Sequence, residues 1–152
     1  MTNEALKEKI ATVPLSINYE EGAEWLTILV DPSDWLKLAE FLKSDPALDF
    51  DFLFCLTCID WKTHLTMVYH LRSTSEKHTI VVKSKLAYDN ASIESVARIW
   101  RTAEFHEREV FELFGVNFQN HPDLRLLILP DGWEGRNPLR KNYEDEVNMI
   151  RL

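Results

Sequence analysis

Residues 50–86 carry three extended apolar runs with no helical period between them, and this succession limits the fold more than any other feature of the chain. The first, FDFLFCLTCIDW over 50–61, is apolar at nearly every position. The second and third, over 65–72 and 78–86, are separated only by the polar stretch STSEK, which reads as a hairpin loop. Strands arriving in hairpins, without the alternation of strand and helix that parallel pairing needs, build a mostly antiparallel sheet. A run apolar on both faces suits a strand covered on both sides, which places 50–61 at the centre of that sheet.

The flanking elements follow from the same reasoning. Asn3 caps a short helix reaching about Ile10, after which Val13, Leu15, Ile17 and Tyr19 alternate with polar neighbours as a half-buried strand does. A turn at Glu21-Gly22 leads to an extended run over 25–30, completing a hairpin. Asp31 caps and Pro32 opens a helix whose Trp35, Leu38, Ala39 and Leu42 fall at i, i+3, i+4 and i+7, and Asp45-Pro46 ends it. Ile93, Val96, Ala97 and Trp100 predict a further amphipathic helix with Ser92 as cap, and Thr102 caps the last one, which runs to Phe114. The expected order is α-β-β-α-β-β-β-α-α, a two-layer α+β domain with helices packed on a mixed, mostly antiparallel sheet.

After Phe114 the chain changes character. Residues 115–138 hold three of the four glycines and three of the six prolines, and only 124–129 has the pattern of regular structure. Pro122, Pro130 and Pro138 each remove a backbone donor, and Asp131-Gly132 favours a turn. Long irregular stretches in compact domains are usually functional. The chain therefore divides into an α+β domain over 1–114 and an extended partner-binding segment over 115–152.

Composition removes several classes of function. The chain has 152 residues, 45% of them hydrophobic, enough for a core without disulfides or metals. Its net charge of −8 lies wholly in residues 1–60, which hold 4 Lys and 12 Asp or Glu. Such a half repels phosphate, and the remainder has no lone basic cluster, so nucleic-acid binding is excluded. The apolar runs are too short to cross a bilayer, and Glu4, Lys7, Glu8 and Lys9 stand where a signal peptide would be apolar. The chain is expected to stay in a reducing compartment of synthesis, in keeping with only two cysteines.

Cys55 and Cys58 have the spacing of a redox pair or half a zinc site. Inside a strand, residues three apart point to opposite faces, so the two read first as small buried hydrophobes, with a small cytosolic redox or metal protein as the rival. On the last helix, at about 100° per residue, Glu107 falls about 40° from Ala103, inside the apolar stripe of Val110, Phe111 and Phe114. A carboxylate there must be paired, hydrogen-bonded or protonated, with Arg125, Arg140 or a backbone donor as partner. Glu104, Arg108 and Glu112 share another face and read as a solvated charge ladder. Phe118, Leu127, Leu129, Trp133 and Leu139, with Arg125, Arg140 and Lys141, form an anchor set typical of interfaces.

Across 103–143 the motifs Glu107-Arg108-Glu109, Leu113-Phe114-Gly115, His121-Pro122-Asp123-Leu124-Arg125, Leu129-Pro130-Asp131, Trp133-Glu134-Gly135 and Pro138-Leu139-Arg140-Lys141 follow one another in order. Together with Asp60-Trp61, Tyr69-His70-Leu71 and the stretch from Ser95-Val96 to Trp100, they resemble the C subunit of NADH-quinone oxidoreductase, the 30-kilodalton subunit family of respiratory complex I. Glu112, Phe105, Leu126 and Asn142 depart from the usual family residues.

The resemblance implies a non-catalytic scaffold and assembly subunit of the peripheral arm, in the quinone-reducing module. It implies no catalytic, metal or cofactor-binding residue in this chain, with flavin and iron-sulfur clusters carried by other subunits. The D, B and I subunits of the same complex are the implied partners, and membrane association on the cytoplasmic side of the inner membrane comes only through the complex. The implied partner interface comprises Phe118, His121, Pro122, Asp123, Arg125, Leu127, Leu129, Trp133, Pro138, Leu139, Arg140 and Lys141, with Glu107 as a structural buried charge. The nearest rival is the equivalent subunit of a membrane-bound [NiFe] hydrogenase or ferredoxin-linked relative.

Overall fold

The computed structural model describes residues 2–145 and 147; the end of the segment assigned to 115–152 lies outside the described residues. Helix α1 (Asn3–Ile10) precedes a hairpin of β1 (Ile17–Glu20) and β2 (Leu26–Val30), then helix α2 (Trp35–Ser44). Strands β3 (Phe52–Asp60), β4 (His64–Arg72) and β5 (Thr79–Ala87) follow as a meander. A short strand β6 (Ser92–Glu94), helix α3 (Ala103–Phe114) and a short strand β7 (Asn117–Gln119) complete the regular structure. The five-stranded sheet has the order β1-β2-β5-β4-β3, in which only β2 and β5 run parallel. The architecture is thus the α+β, mixed and mostly antiparallel one that the hairpin pattern implies.

One face of the sheet is the core. Leu26, Ile28, Leu53, Leu65, Met67, Tyr69, Ile80 and Val82 point from it into a layer built by Leu6 and Ile10 of α1, Trp35, Leu38 and Leu42 of α2, and Val110 of α3, all buried. The indole of Trp35 lies 4.4 Å from the Tyr69 ring and 6.3 Å from Trp100, so three large aromatics tie α2, β4 and the approach to α3 together.

Several local expectations need correction. Strand β3 is an edge strand, not a central one. Leu53, Leu56 and Cys58 face the core, but Phe52 and Ile59, on the other side, are 42% and 38% exposed, so the second apolar face is surface and not a second buried layer. A bulge between Leu53 and Cys55 marks the edge. The helix expected over Ile93–Trp100 is instead β6 followed by turns. Ser92, Ile93 and Glu94 pair in parallel with Asn117, Phe118 and Gln119, and the Val96 carbonyl closes a turn with the Ile99 and Trp100 amides. This long-range pairing outcompetes local helical periodicity, while Ile93, Val96 and Trp100 are buried all the same.

Regular structure after Gly115 is β7, not 124–129, and the first strand begins at Ile17, leaving Val13 and Leu15 outside it. The caps also differ. Thr2, not Asn3, accepts the Ala5 amide at α1; Asp31 binds Ser33 ahead of α2; and the Thr102 hydroxyl donates to the Leu53 carbonyl instead of capping α3. Gly115 closes α3 at φ 73°, a left-handed conformation suited to glycine. A Cβ there would also lie 2.5 Å from the Asn137 side chain.

Candidate interaction site

Helix α3 presents charged residues to two different buried environments. Glu107 is fully buried between the helix and the turn after β6. Its carboxylate accepts the Ser95 hydroxyl at 2.5 Å and the Val96 amide at 2.8 Å. Burial pushes its pKa up to about 7 against those two donors, which favour the charged form. The His121 Nε2 lies 3.7 Å from the carboxylate and donates to the Glu104 carbonyl, while Nδ1 accepts the Asp123 amide. This pattern assigns a neutral imidazole with its proton on Nε2. Of the candidate partners for Glu107, a backbone donor is present and the two arginines are not: Arg125 pairs with Asp123 in solvent, and Arg140 turns to backbone carbonyls.

The expected solvated ladder on α3 is corrected most strongly, because Arg108 and Glu112 are buried. Arg108 donates to the carbonyls of Arg125 and Leu126 at 3.0 and 2.6 Å. Glu112 accepts the amides of Leu127, Ile128 and Leu129 at 2.8, 2.9 and 3.2 Å. Two side chains one helical turn apart thereby satisfy a backbone group on each of five consecutive residues. The physical need is plain: an irregular strand laid on a helix has no ladder partner, and its N–H and C=O groups must still be bonded. A signal was available in the sequence, since an acidic residue in the last turn of a helix opposes the macrodipole and needs donors from elsewhere.

The clamp turns two side chains outward: Leu127 is 40% and Ile128 65% exposed, and Phe105 on α3, under the Arg108 guanidinium, is 56% exposed. Ile128 and Phe105 were missing from the expected anchor set. Phe118 leaves it, because β7 directs that ring into the chain's own core, 2% exposed. Pro122 and Asp123 are exposed; Leu129, Trp133 and Pro138 are half-buried; and the Arg136 guanidinium lies 4.6 Å above the Trp133 ring.

Farther on, the Leu139 amide donates to the Leu113 carbonyl, leaving its side chain 54% exposed. Arg140 donates to the carbonyls of Phe114 and Tyr88, and the Lys141 amide donates to Asp60 at 2.8 Å. Asp60 also accepts the Tyr88 hydroxyl and the Lys62 amide. Burial raises its pKa, but these donors outweigh burial and hold it below the ordinary value.

The cysteines stand on opposite faces of β3. Cys58 faces inward with its thiol pushed up to about 12 by burial, away from the thiolate form that redox and metal chemistry uses. Among the described residues, no group of three or more His, Cys, Asp or Glu is placed to hold a metal, and no helix is long and apolar enough to cross a membrane.

The profile of the family described as "Respiratory-chain NADH dehydrogenase, 30 Kd subunit" matches residues 28–147. The C subunit of the NADH-quinone oxidoreductase of Chlorobium phaeobacteroides is 35% identical over 144 residues, covering 93% of this chain and 86% of that protein. The C/D subunit of the NADH-quinone oxidoreductase of Phocaeicola vulgatus is 42% identical over 115 residues, 74% of this chain and 22% of that protein. Among solved structures, the trypsin-resistant fragment (1–134) of Nqo5 superposes with a TM-score of 0.68 at 25% identity, covering 82% of this chain and all of that one. A chain of the membrane-bound sulfane sulfur reductase, an archaeal respiratory membrane complex, gives 0.75 at 26% identity, over 93% of this chain and 84% of that one. The fold is thus that of a respiratory-complex subunit. The chain belongs to the 30-kilodalton subunit family of respiratory-chain NADH dehydrogenase.

Proposed function

We propose that this chain is a non-catalytic scaffold and assembly subunit in the quinone-reducing module of the peripheral arm. It holds cluster-bearing subunits in electron-transfer geometry on the cytoplasmic side of the membrane. The observation that carries this reading is the clamp on α3, where two buried charges are spent on fixing the backbone of 125–129 so that Leu127 and Ile128 point outward. Preorganised apolar anchors lose little entropy on docking and belong to interfaces. The D, B and I subunits are the proposed partners, touching Leu127, Ile128, Leu129, Trp133 and Leu139 with the polar rim of Asp123, Arg125 and Lys141. A relative whose name joins C and D in one subunit supports the D subunit as the immediate neighbour. The same surface would serve the equivalent subunit of a related membrane-bound complex, a reading favoured by the sulfane sulfur reductase chain. The subunits that co-purify in mild detergent separate the two.

A chain ending after Asp131 tests the role of the segment. It keeps β7 and the clamp but loses Trp133, Leu139 and the Arg140 and Lys141 contacts. The expected result is a cooperative melt and nearly unchanged far-ultraviolet circular dichroism, with the D subunit no longer retained in a pull-down. Undiminished retention of the D subunit by a folded truncated chain would place the interface elsewhere.

A further inference from the structure

The C-terminal end of α3 is completed by residues outside the helix. An α-helix leaves its final carbonyls without partners of its own, and the negative end of its dipole favours a cation. The last turn of α3 holds no basic residue. Both needs are met by chain 26 residues further on: the Leu139 amide donates to the Leu113 carbonyl, and the Arg140 Nε donates to the Phe114 carbonyl at 2.6 Å. Two turns shape the segment that does this, with the Asn137 carbonyl accepting the Arg140 amide and the Arg140 carbonyl accepting the Tyr143 amide, each at 3.0 Å.

The same segment is tied at a second point. Asp60 is buried at the end of β3; its Oδ1 accepts the Lys62 amide at 2.6 Å, and its Oδ2 accepts the Tyr88 hydroxyl at 3.0 Å and the Lys141 amide at 2.8 Å. A turn at Lys62 alone would need one acceptor, which an asparagine supplies equally well. Backbone donors on both oxygens require a carboxylate, since an asparagine in either orientation sets its NH2 group against one of them. Arg140 closes the circuit: its Nη1 donates to the Tyr88 carbonyl at 2.7 Å, and its guanidinium lies 4.7 Å from the centre of the Tyr88 ring. Asp60, Tyr88, Arg140 and Lys141 thus form a ring of contacts that joins the ends of β3, β5 and α3, and bonds in such a ring support one another.

We propose that Asp60 and Arg140 are positioning residues that latch 137–141 as one cooperative strap across the end of α3, and that the strap sets the exposed Leu139 and Lys141 in place for the D subunit. The inference rests on the scaffold reading given above. Arg140 then serves the interface from behind, by holding its own chain, and Asp60 does so from 81 residues away without touching the partner.

The test is hydrogen exchange in the full chain, paired with a pull-down of the D subunit by the same variants. Arg140→Gln removes the bonds to Phe114 and Tyr88 but leaves the Lys141 amide its acceptor; Asp60→Ala removes that acceptor but leaves the Leu139 amide its own. In a cooperative strap each variant should speed exchange of the amide whose bond it does not touch, by about tenfold or more, while the central amides of β4 and β5 and those of 127–129 keep their protection. Retention of the D subunit should fall in both. Unchanged protection of Lys141 in Arg140→Gln, or of Leu139 in Asp60→Ala, overturns the strap. So does a general loss of protection in both variants, which would make the two residues part of the core. Faster exchange in the strap with undiminished retention overturns the positioning role. The chain ending after Asp131 separates this failure from that of the scaffold reading: if it retains the D subunit, the reading of the segment fails; if it does not, while both variants do, only the role of the strap fails.

Discussion

In the core, Trp35, Tyr69 and Trp100 meet ring to ring beneath a ladder of paired strands. In residues 121–141 the described chain has no strand; Arg108, Glu112 and Asp60 reach its backbone groups, its own Arg140 reaches the carbonyls of Phe114 and Tyr88, and Leu124 packs against the core. The first region is held by area removed from water, which is non-directional and shared among many side chains. The second is held by a few directional, charge-assisted bonds, each fixing the position of a named peptide. Burial builds a stable platform, whereas directional bonds set the shape of an irregular segment without hiding its side chains. A segment meant to present Leu127 and Ile128 to a partner needs the second kind of attachment.

The largest test of this difference is Trp35→Ala. The indole is fully buried, and removing it should cost about 3–5 kcal/mol from lost burial and the cavity left behind. Denaturant unfolding followed by far- and near-ultraviolet circular dichroism should show one lowered midpoint for the whole chain. A loss confined to the segment after Gly115 would contradict the assignment of the rings to the shared core.

Glu107 sits where the two regions join, bonded to Ser95 and Val96 and facing His121 across 3.7 Å; the Tyr69 phenol is raised by its burial and, second to that, by the Glu107 charge. Its folded pKa of about 7 lies above the ordinary 4.5, so the folded state holds the proton more tightly than the unfolded one. The contribution is therefore present in full below about pH 4.5 and is lost as pH rises to about 7, a difference of about 3 kcal/mol. Carboxylates held below their ordinary range, Asp60 and Asp51 among them, lose their contribution only at more acidic pH. The stability of the native chain minus that of Glu107→Gln, measured from pH 4.5 to 7.5, should fall across this window. A flat difference would show that burial of the carboxylate is not costly.

Glu112→Gln is expected to act on the segment alone. It keeps the shape but removes the charge shared by three amides, at about 2 kcal/mol. Hydrogen exchange of the 127–129 amides should accelerate while the amides of β4 and β5 keep their protection. If the strand amides lose protection in parallel, the clamp belongs to the cooperative core and the two regions are one.

The same division explains what could be read from the sequence. The hairpins of β1 with β2 and β4 with β5 were legible because alternation and a turn are local signals. The edge position of β3 was not, since Phe52, Phe54 and Ile59 give the same apolar pattern whether a second layer or a partner covers them. The pairing of β6 with β7 joins positions separated by α3, so Ile93, Val96 and Trp100 showed their burial but not their conformation. For Arg108 and Glu112 the helical wheel placed both on one face, but what lies on that face is decided by the chain 15 to 18 residues later. Among the anchors, Leu127 and Trp133 were visible as apolar residues in a breaker-rich stretch; Ile128 was lost because a clamped backbone, not periodicity, aims it outward.

The smallest effect is expected at Arg125, where attachment and presentation separate within one residue. Its carbonyl is held by Arg108, so its backbone belongs to the clamp, whereas its guanidinium, among the described residues, pairs with Asp123 in solvent. Exposed pairs of this kind contribute little to folding. Arg125→Met should leave the melting temperature and the exchange protection of 127–129 unchanged, because no backbone bond depends on the side chain. Any effect should then appear in binding alone, as weaker retention of the D subunit that is sensitive to salt in the native chain and less so in the variant. Unchanged binding would remove Arg125 from the proposed interface while leaving the clamp intact. A lowered melting temperature would mean that the Asp123 pair holds the segment in place, and that the line between side chains that fix it and side chains that face a partner has been drawn one residue too early.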